Sequence, residues 1–489
     1  MKPLEQSLWT KEDVSIATKG LPSGMMSNGW LAKGVSIDSR TCLPGDMFIA
    51  LSGTNFDGHN YVSDALASGA VAAIVSRIPE GLENSPALVV VEDSNQALID
   101  LARFARARTS AKIIGITGSV GKTTTKDGLT AALSVCGNTH STIGNLNNHI
   151  GAPLTLSRLP NNAVYSVIEL GMNHSGELNE ISTLSQPDIA VITNIEAVHL
   201  ENFDSVYGIA DAKSEIFAGL GNTGTAILNR DNVYFAYLSS IAAEYGVSRV
   251  LSFGADPDSY SRLISMKNIV GGSDVTAEVN GQTIKYRLNT PGRHQVKNSL
   301  AILAVVASLE ADVVSASAEL ANITAPLRRG RHYKVTSSKG EFIVIDDSYN
   351  ASPASMRASF EVLASATSVS SGRKVAVLGD MLELGPDSRK IHAGLAQHLT
   401  TNKIDQVFTA GTLMSELDKA LPKYMRGGHR NTPEELLPIV MQSIRDGDVV
   451  LVKGSLGSRA GPIADALINT YEDEGTSFQI LNGDNHNVI

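Results

Sequence analysis

The chain has 489 residues, 43% of them hydrophobic and 18% charged, which excludes wholesale disorder. At about 150 residues per domain the length predicts three domains. Forty Lys and Arg against fifty Asp and Glu leave a net charge of −10, which argues against general nucleic-acid binding, since that needs a basic footprint. Cys42 and Cys136 share no metal-ligand spacing, and two isolated thiols fit a reducing compartment. No apolar segment follows the charged start Met1-Lys-Pro-Leu-Glu, and the longest apolar run of note, Ala301–Leu309, is far short of the roughly 20 residues of a membrane span. A soluble, cytoplasmic protein with no nucleic-acid or membrane partner is expected.

Residues 1–109 carry short β-like runs at Val35–Ile37, Asp46–Leu51, Ala70–Val75 and Ala87–Val91. A helix pattern follows over Asn95–Arg108, with Leu98, Leu101 and Ala105 at helical spacing. The cations Arg103, Arg106 and Arg108 suit its C-terminal end. Residues 110–325 alternate strand and helix. Strands are expected at Lys112–Ile116, Tyr165–Leu170, Asp188–Ile195, Gly224–Asn229 and Arg249–Phe253, and helices at Lys122–Val135, Gly208–Leu220 and Val296–Leu309. This alternation predicts a parallel sheet covered on both faces. Between Ser259 and Leu288 short alternating runs with Gly271-Gly272 and Asn280-Gly281 predict a hairpin excursion.

Residues 326–471 repeat the pattern. Phe342–Ile345, Lys374–Leu378, Gln406–Thr409 and Val449–Val452 read as strands, and Ala354–Ala364, Ser388–Leu399 and Glu434–Ile444 as helices. This is a second doubly wound unit. The polar, acidic stretch 472–489 reads as a mobile tail.

The strongest local signal is Gly115-Ile-Thr-Gly-Ser-Val-Gly-Lys-Thr-Thr-Thr125. An apolar strand runs through glycines into Lys-Thr and a helix. In such a loop, Thr117, Gly118, Ser119, Val120, Gly121, Lys122, Thr123 and Thr124 cradle phosphates on backbone N–H groups at a helix N-terminus. Lys122 reaches the outer phosphates, and the Thr123 hydroxyl is placed for Mg²⁺. The spacing departs from the commonest form, because the position that would carry its first glycine is Ile116.

Ligands of open α/β sheets sit at the carboxyl ends of the strands. The strand beginning at Tyr165 ends in Glu169, and the next ends in Asn194 with His199 in the following loop. Lys213 lies on the helix after that. Thr123, Glu169, His199 and Lys213 are therefore candidates for a metal centre beside the phosphates. Glu169 suits Mg²⁺; a histidine is less usual for that ion and fits a second metal.

These residues resemble the Mur ligases, ATP-dependent amide-bond ligases of cytoplasmic peptidoglycan precursor synthesis, over nearly the whole chain from Ser36 to Leu467. The resemblance rests on the loop Thr117–Thr124, on Glu169, Asn194-Ile195 and His199, on Ala212-Lys213, on Gly292-Arg-His-Gln-Val-Lys-Asn298, on Gly330-Arg331 and on Asp346-Asp-Ser-Tyr-Asn-Ala-Ser-Pro353. One departure is Gln295, where the family commonly has asparagine. The resemblance implies an α/β protein of three domains: a small α/β domain for the substrate nucleotide, a central P-loop parallel-sheet ATPase domain and a C-terminal Rossmann-like domain.

It also implies roles. Asn298 approaches adenine, Asp347 the ribose and Arg331 the phosphates, the last two delivered by closure of the third domain. Lys122, His199 and Lys213 are catalytic, Lys213 as the lysine that several members carry carbamylated. Asn145, Asn147 and Asn148 contact the substrate or acyl phosphate. Ser39, Arg40 and His59, in Asp38-Ser-Arg40 and Asp57-Gly-His59, face the uridine nucleotide. Within the family, the stretches Gly144–Pro153, Asp347–Pro353, Leu378–Gly385 and Val452–Ser455 imply UDP-N-acetylmuramoyl-tripeptide and D-alanyl-D-alanine as substrates, with ATP and Mg²⁺, and a monomer is expected. A regulatory P-loop ATPase and a folate-type ligase are the competing readings. The whole domain ahead of the phosphate loop argues against the folate-type ligase.

Overall fold

The computed structural model describes residues 7–23, 29–198, 200–269, 271–337, 340–367, 372–469 and 478–481; His199 lies outside them, and Phe478 and Gln479 are described by their backbone only. Three large sheets carry the fold. The first has five strands in the order Leu21–Pro22, Leu88–Val90, Ala72–Val75, Asp46–Ile49 and Gly34–Ser36, parallel except at Leu21–Pro22. Alternate residues face opposite ways, as a strand dictates: Met47 and Ile49 join one core, Phe48 and Ala50 another. The helix Ser94–Arg108 closes one face with Ala97, Leu98, Leu101 and Ala105.

Its C-terminal arginines bind the central domain. Arg106 donates to the carbonyls of Ser185 and Gln186 at the end of helix Glu177–Ser185, and Arg108 lies over the Trp9 ring at 3.9 Å. Trp9 Nε1 donates to Ser157 O at 2.8 Å, and Leu154 enters the first domain's core. The first two domains thus share packing.

The central sheet has nine strands, in the order Gln282–Leu288, Gly272–Val279, Ser261–Ile269, Arg249–Gly254, Thr225–Asn229, Ile189–Ile192, Lys112–Thr117, Tyr165–Glu169 and Thr139–Ser141. The strands from Arg249 to the Thr139 edge are parallel. Ile114, Ile116, Val167 and Val191 pack under the helices Lys122–Ser134 and Arg293–Ser308, while Ile113, Ile168, Ala190 and Ile192 pack on the opposite face. After Lys112–Thr117 the chain builds to one side and then crosses to the other, so the phosphate loop sits at the switch point where such sheets bind ligands.

The expected hairpin between Ser259 and Leu288 is a three-stranded antiparallel meander that extends this sheet. The expected helix Gly208–Leu220 is an α-helix over Val206–Ser214 followed by a 3₁₀ turn over Glu215–Gly219.

The third sheet has seven strands: Arg426–Arg430, Gln406–Ala410, Lys374–Gly379, Val449–Lys453, Gly340–Asp347, Arg331–Ser337 and Phe478–Ile480. The last two are antiparallel additions to a parallel core. Ile343 and Ile345 face one core, Phe342 and Val344 the other. Part of the expected mobile tail is therefore a strand, because Phe478–Ile480 pairs with Tyr333–Val335 and satisfies an edge that would otherwise be open. The rest of 472–489, apart from Leu481, lies outside the described residues. Among the described residues no helix is long and apolar enough to cross a membrane.

Candidate active site

The phosphate loop joins strand Lys112–Thr117 to helix Lys122–Ser134. Gly118 and Gly121 hold φ of +146° and +88°, values that favour glycine. A Cβ on Gly118 would lie 2.0 Å from Thr193 Oγ1, and one on Gly121 would lie 2.7 Å from Asn298 Oδ1. The loop is braced by the end of the neighbouring strand. Thr193 Oγ1 donates to Val120 O at 2.6 Å, Ser119 N donates to Asn194 O at 2.8 Å, and Glu196 N donates to Ser119 Oγ at 3.0 Å. Lys122 Nζ donates to Gly118 O at 2.8 Å, folded over the loop it would leave for a phosphate. Burial pushes its amine below the ordinary lysine range; Glu169 counters that and Arg329 adds to it.

Glu169 ends the strand on one side of the loop and pairs in register with Ile116. It is 1% exposed. Its Oε1 accepts from Asn147 Nδ2 at 2.8 Å, while Oε2 is buried with no partner among the described residues. A carboxylate held at one oxygen and orphaned at the other suits a hard cation. Among the described residues no three His, Cys, Asp or Glu side chains converge. That suits Mg²⁺, which keeps several waters and takes few protein ligands.

Lys213 is 2% exposed and among the largest fully buried side chains. Burial, then the charge of Lys122, push its amine well below the ordinary range. Among the described residues no carboxylate pairs with it. Nearby Glu215 is engaged elsewhere, accepting from Ser175 Oγ, Gly176 N and Asn179 N at the start of helix Glu177–Ser185. His199, expected as catalytic residue and metal ligand, lies outside the described residues.

The structure separates the three asparagines. Asn147 holds Glu169. Asn148 Oδ1 accepts from Gly151 N at 2.9 Å and Ile150 N at 3.2 Å, so it caps the turn into helix Gly151–Ser157. Asn145 Nδ2 donates to the Tyr349 hydroxyl at 3.2 Å, a bond between the central and third domains. Only the turn is common to them.

The first-domain candidates divide similarly. His59 is buried, and both ring nitrogens are engaged: Nδ1 lies 2.6 Å from Asp57 Oδ1, and Nε2 accepts from Ser76 N at 2.9 Å. Arg77 beside Asp57 holds that carboxyl well below the usual range. His59 therefore knits its own loop, where substrate contact was expected. Arg40 is exposed and forks onto Asp38 at 2.6 and 2.9 Å, and Ser39 lies between them on the surface loop.

The third domain faces the loop across a cleft lined by Thr290, Pro291, His294, Gln295, Arg329, Gly330, Asp347 and Ser359. Asp347 and Lys453 end adjacent strands in register, and Lys453 Nζ lies 2.7 Å from Asp347 Oδ2, which also accepts from Ser359 Oγ at 2.6 Å. Arg331 Nε donates to Ala325 O at 2.9 Å; the arginine that charges the Lys122 environment is Arg329. Asn298 stands against the phosphate loop at Gly121. Arg357 and Glu196, 3.7 Å apart, make a second bridge between the domains.

Sequence reasoning missed Lys453, Arg329 and Tyr349 as site residues. The run Arg328-Arg329-Gly330-Arg331 signals a cation there but gives no sign of which one turns inward.

Comparison with known proteins gives matches along most of the chain. Residues 32–106 match the model of the Mur ligase family catalytic domain, 116–306 the Mur ligase middle domain, and 330–456 the Mur ligase glutamate ligase domain. The UDP-N-acetylmuramoyl-tripeptide–D-alanyl-D-alanine ligase of Escherichia coli strain K12 is 36% identical over 435 residues, covering 88% of this chain and 93% of that protein. Among solved structures, MurF from Acinetobacter baumannii superposes with a TM-score of 0.81 at 30% identity, covering 94% of this chain and 98% of that one. MurF ligase from Thermotoga maritima, solved with ADP, superposes with a TM-score of 0.74 at 27% identity, covering 90% and 98%.

Proposed function

Because the chain belongs to the Mur ligase family, we propose that this site joins D-alanyl-D-alanine to UDP-N-acetylmuramoyl-tripeptide at the expense of ATP, in cytoplasmic peptidoglycan precursor synthesis. The observation that carries the reading is a braced phosphate loop with a half-satisfied buried carboxylate, Glu169, on one side and a third-domain cleft on the other.

Amide formation from a carboxylate needs activation, because the carboxylate is a poor electrophile. The substrate carboxylate attacks the γ-phosphorus of ATP and releases ADP. The acyl phosphate is then attacked by the dipeptide amine, the tetrahedral intermediate collapses to the amide, and phosphate leaves with the C–O bond. Positioning and charge neutralisation are the protein's part. Gly118 to Thr124 hold the phosphates, and Lys122 swings from Gly118 O to the outer ones. Thr123 and Glu169 would hold Mg²⁺, which when bound neutralises phosphate charge, and Asn147 orients Glu169.

A neutral Lys213 amine reacts with CO₂ to give a carbamate and a proton, turning an unpaired buried cation into an oxygen ligand. The support is its burial beside Lys122 with no described carboxylate partner. Asp347 and Asn298 face the nucleoside side of the cleft, and all these groups come from one chain, as a monomer would need.

The test is the nucleotide product. ADP and inorganic phosphate are expected in step with the amide. AMP and pyrophosphate would overturn the acyl-phosphate route.

A further inference from the structure

The third domain offers three arginines near the cleft, and the structure distinguishes them. Arg328 is paired with Asp465 at 2.6 Å. Arg331 is turned onto Ala325 O. Arg329 lines the cleft beside Asp347 and is the one whose charge reaches Lys122 on the phosphate loop. Its guanidinium lies flat on the Tyr349 ring, 3.9 Å from the centroid.

That ring is itself fixed from both domains. Tyr349 N donates to Arg328 O at 2.9 Å, so the ring and the arginine turn are tied within the third domain. The Tyr349 hydroxyl accepts from Asn145 Nδ2 of the central domain. Asn147, two residues along the same turn, holds Glu169. The arginine turn is pinned at two more points: Arg329 N donates to Pro326 O at 3.1 Å and Gly330 N to Asp346 O at 2.8 Å.

We propose that Arg329 is the cation the third domain brings to the transferring phosphoryl group, and that Tyr349 is the positioning residue that holds it there. This rests on the ligase reading above for the identity of the acceptor. The physical case is independent of it. A guanidinium carries five donors in a rigid fork suited to phosphate oxygens, and stacking on an aromatic ring removes much of the freedom it would lose on binding. The stack is completed by Tyr349, whose hydroxyl meets Asn145 only while the two domains are together. Docking the third domain therefore places the arginine and the Glu169 turn through one chain of contacts.

The test uses the full-length enzyme with Arg329→Ala, Arg329→Lys, Tyr349→Phe and Tyr349→Leu. Two readouts are taken: steady-state ligation, and calorimetric affinity for ADP and for the β,γ-methylene analogue of ATP in Mg²⁺.

Arg329→Ala should lower kcat by about 10²-fold or more while the KM for ATP moves little. Millimolar guanidinium should restore part of that rate, and Arg329→Lys should recover only part of it. Arg329→Ala should also weaken the triphosphate analogue about tenfold more than ADP. Tyr349→Phe, which keeps the stack, should stay close to the wild type. Tyr349→Leu should lose kcat without guanidinium rescue, since the arginine is present but unheld.

A kcat for Arg329→Ala within about twofold of wild type, with an unchanged analogue-to-ADP ratio, overturns the proposal. Wild-type rates in Tyr349→Leu overturn the positioning role. If the wild type fails to join the two named substrates while Arg329→Ala still loses its preference for the triphosphate, the substrate reading falls and this one stands.

Discussion

Asn147 Nδ2 donates to Glu169 Oε1 at 2.8 Å and leaves Glu169 Oε2 buried and open. The amide fixes the carboxylate's rotation, so the free oxygen is aimed before any cation arrives. Groups that orient a metal ligand are worth 10- to 100-fold in metal affinity or activity, by general experience. Asn147→Ala is therefore expected to raise the Mg²⁺ concentration for half-maximal activity about tenfold or more, with a smaller effect on thermal stability. A Mg²⁺ titration of ligation checks it. An unchanged half-point would remove Glu169 from the metal site.

His59 is expected to matter for folding and not for substrate. His59→Ala strips the partner from a buried Ser76 N–H and one partner from Asp57. The cost should be about 2–3 kcal/mol in urea unfolding. The KM for the UDP-linked substrate should stay within about threefold. A tenfold rise in KM with unchanged stability would return His59 to the nucleotide site.

His332 gives the acid limb of stability a defined shape. Burial pushes its imidazole down to about 4, and its Nε2 is buried without a partner among the described residues. An unfolded histidine takes its proton near pH 6.5. Between about pH 6.5 and about pH 4 the unfolded state thus binds more protons, and stability falls as pH falls through that window. Full stability is present above it. His332→Gln should flatten this limb by up to about 3 kcal/mol, read from unfolding at a series of pH values. Parallel limbs for the two proteins would contradict it.

Much of the fold was legible because its cause is local. The strand Lys112–Thr117 and the helix after it announce themselves by apolar run, glycines and Lys-Thr, and Glu169 follows from asking what ends the next strand. What stayed hidden depends on partners distant in sequence. His59 reads as a ligand until Ser76, seventeen residues on, is seen to occupy its second nitrogen. Asn145, Asn147 and Asn148 look alike in sequence, and only the positions of Tyr349, Glu169 and Gly151 assign one to the domain bridge, one to the carboxylate and one to a cap. The strand Phe478–Ile480 carries no signal of its own, because its order comes from the open edge at Tyr333–Val335.

The most direct test is to incubate the protein with ATP, Mg²⁺, UDP-N-acetylmuramoyl-tripeptide and D-alanyl-D-alanine and to weigh the product. The account predicts a UDP-linked pentapeptide, heavier than the tripeptide by the dipeptide less one water, with one ADP formed per amide. ATP turnover with no pentapeptide, or turnover indifferent to both acceptors, would contradict it.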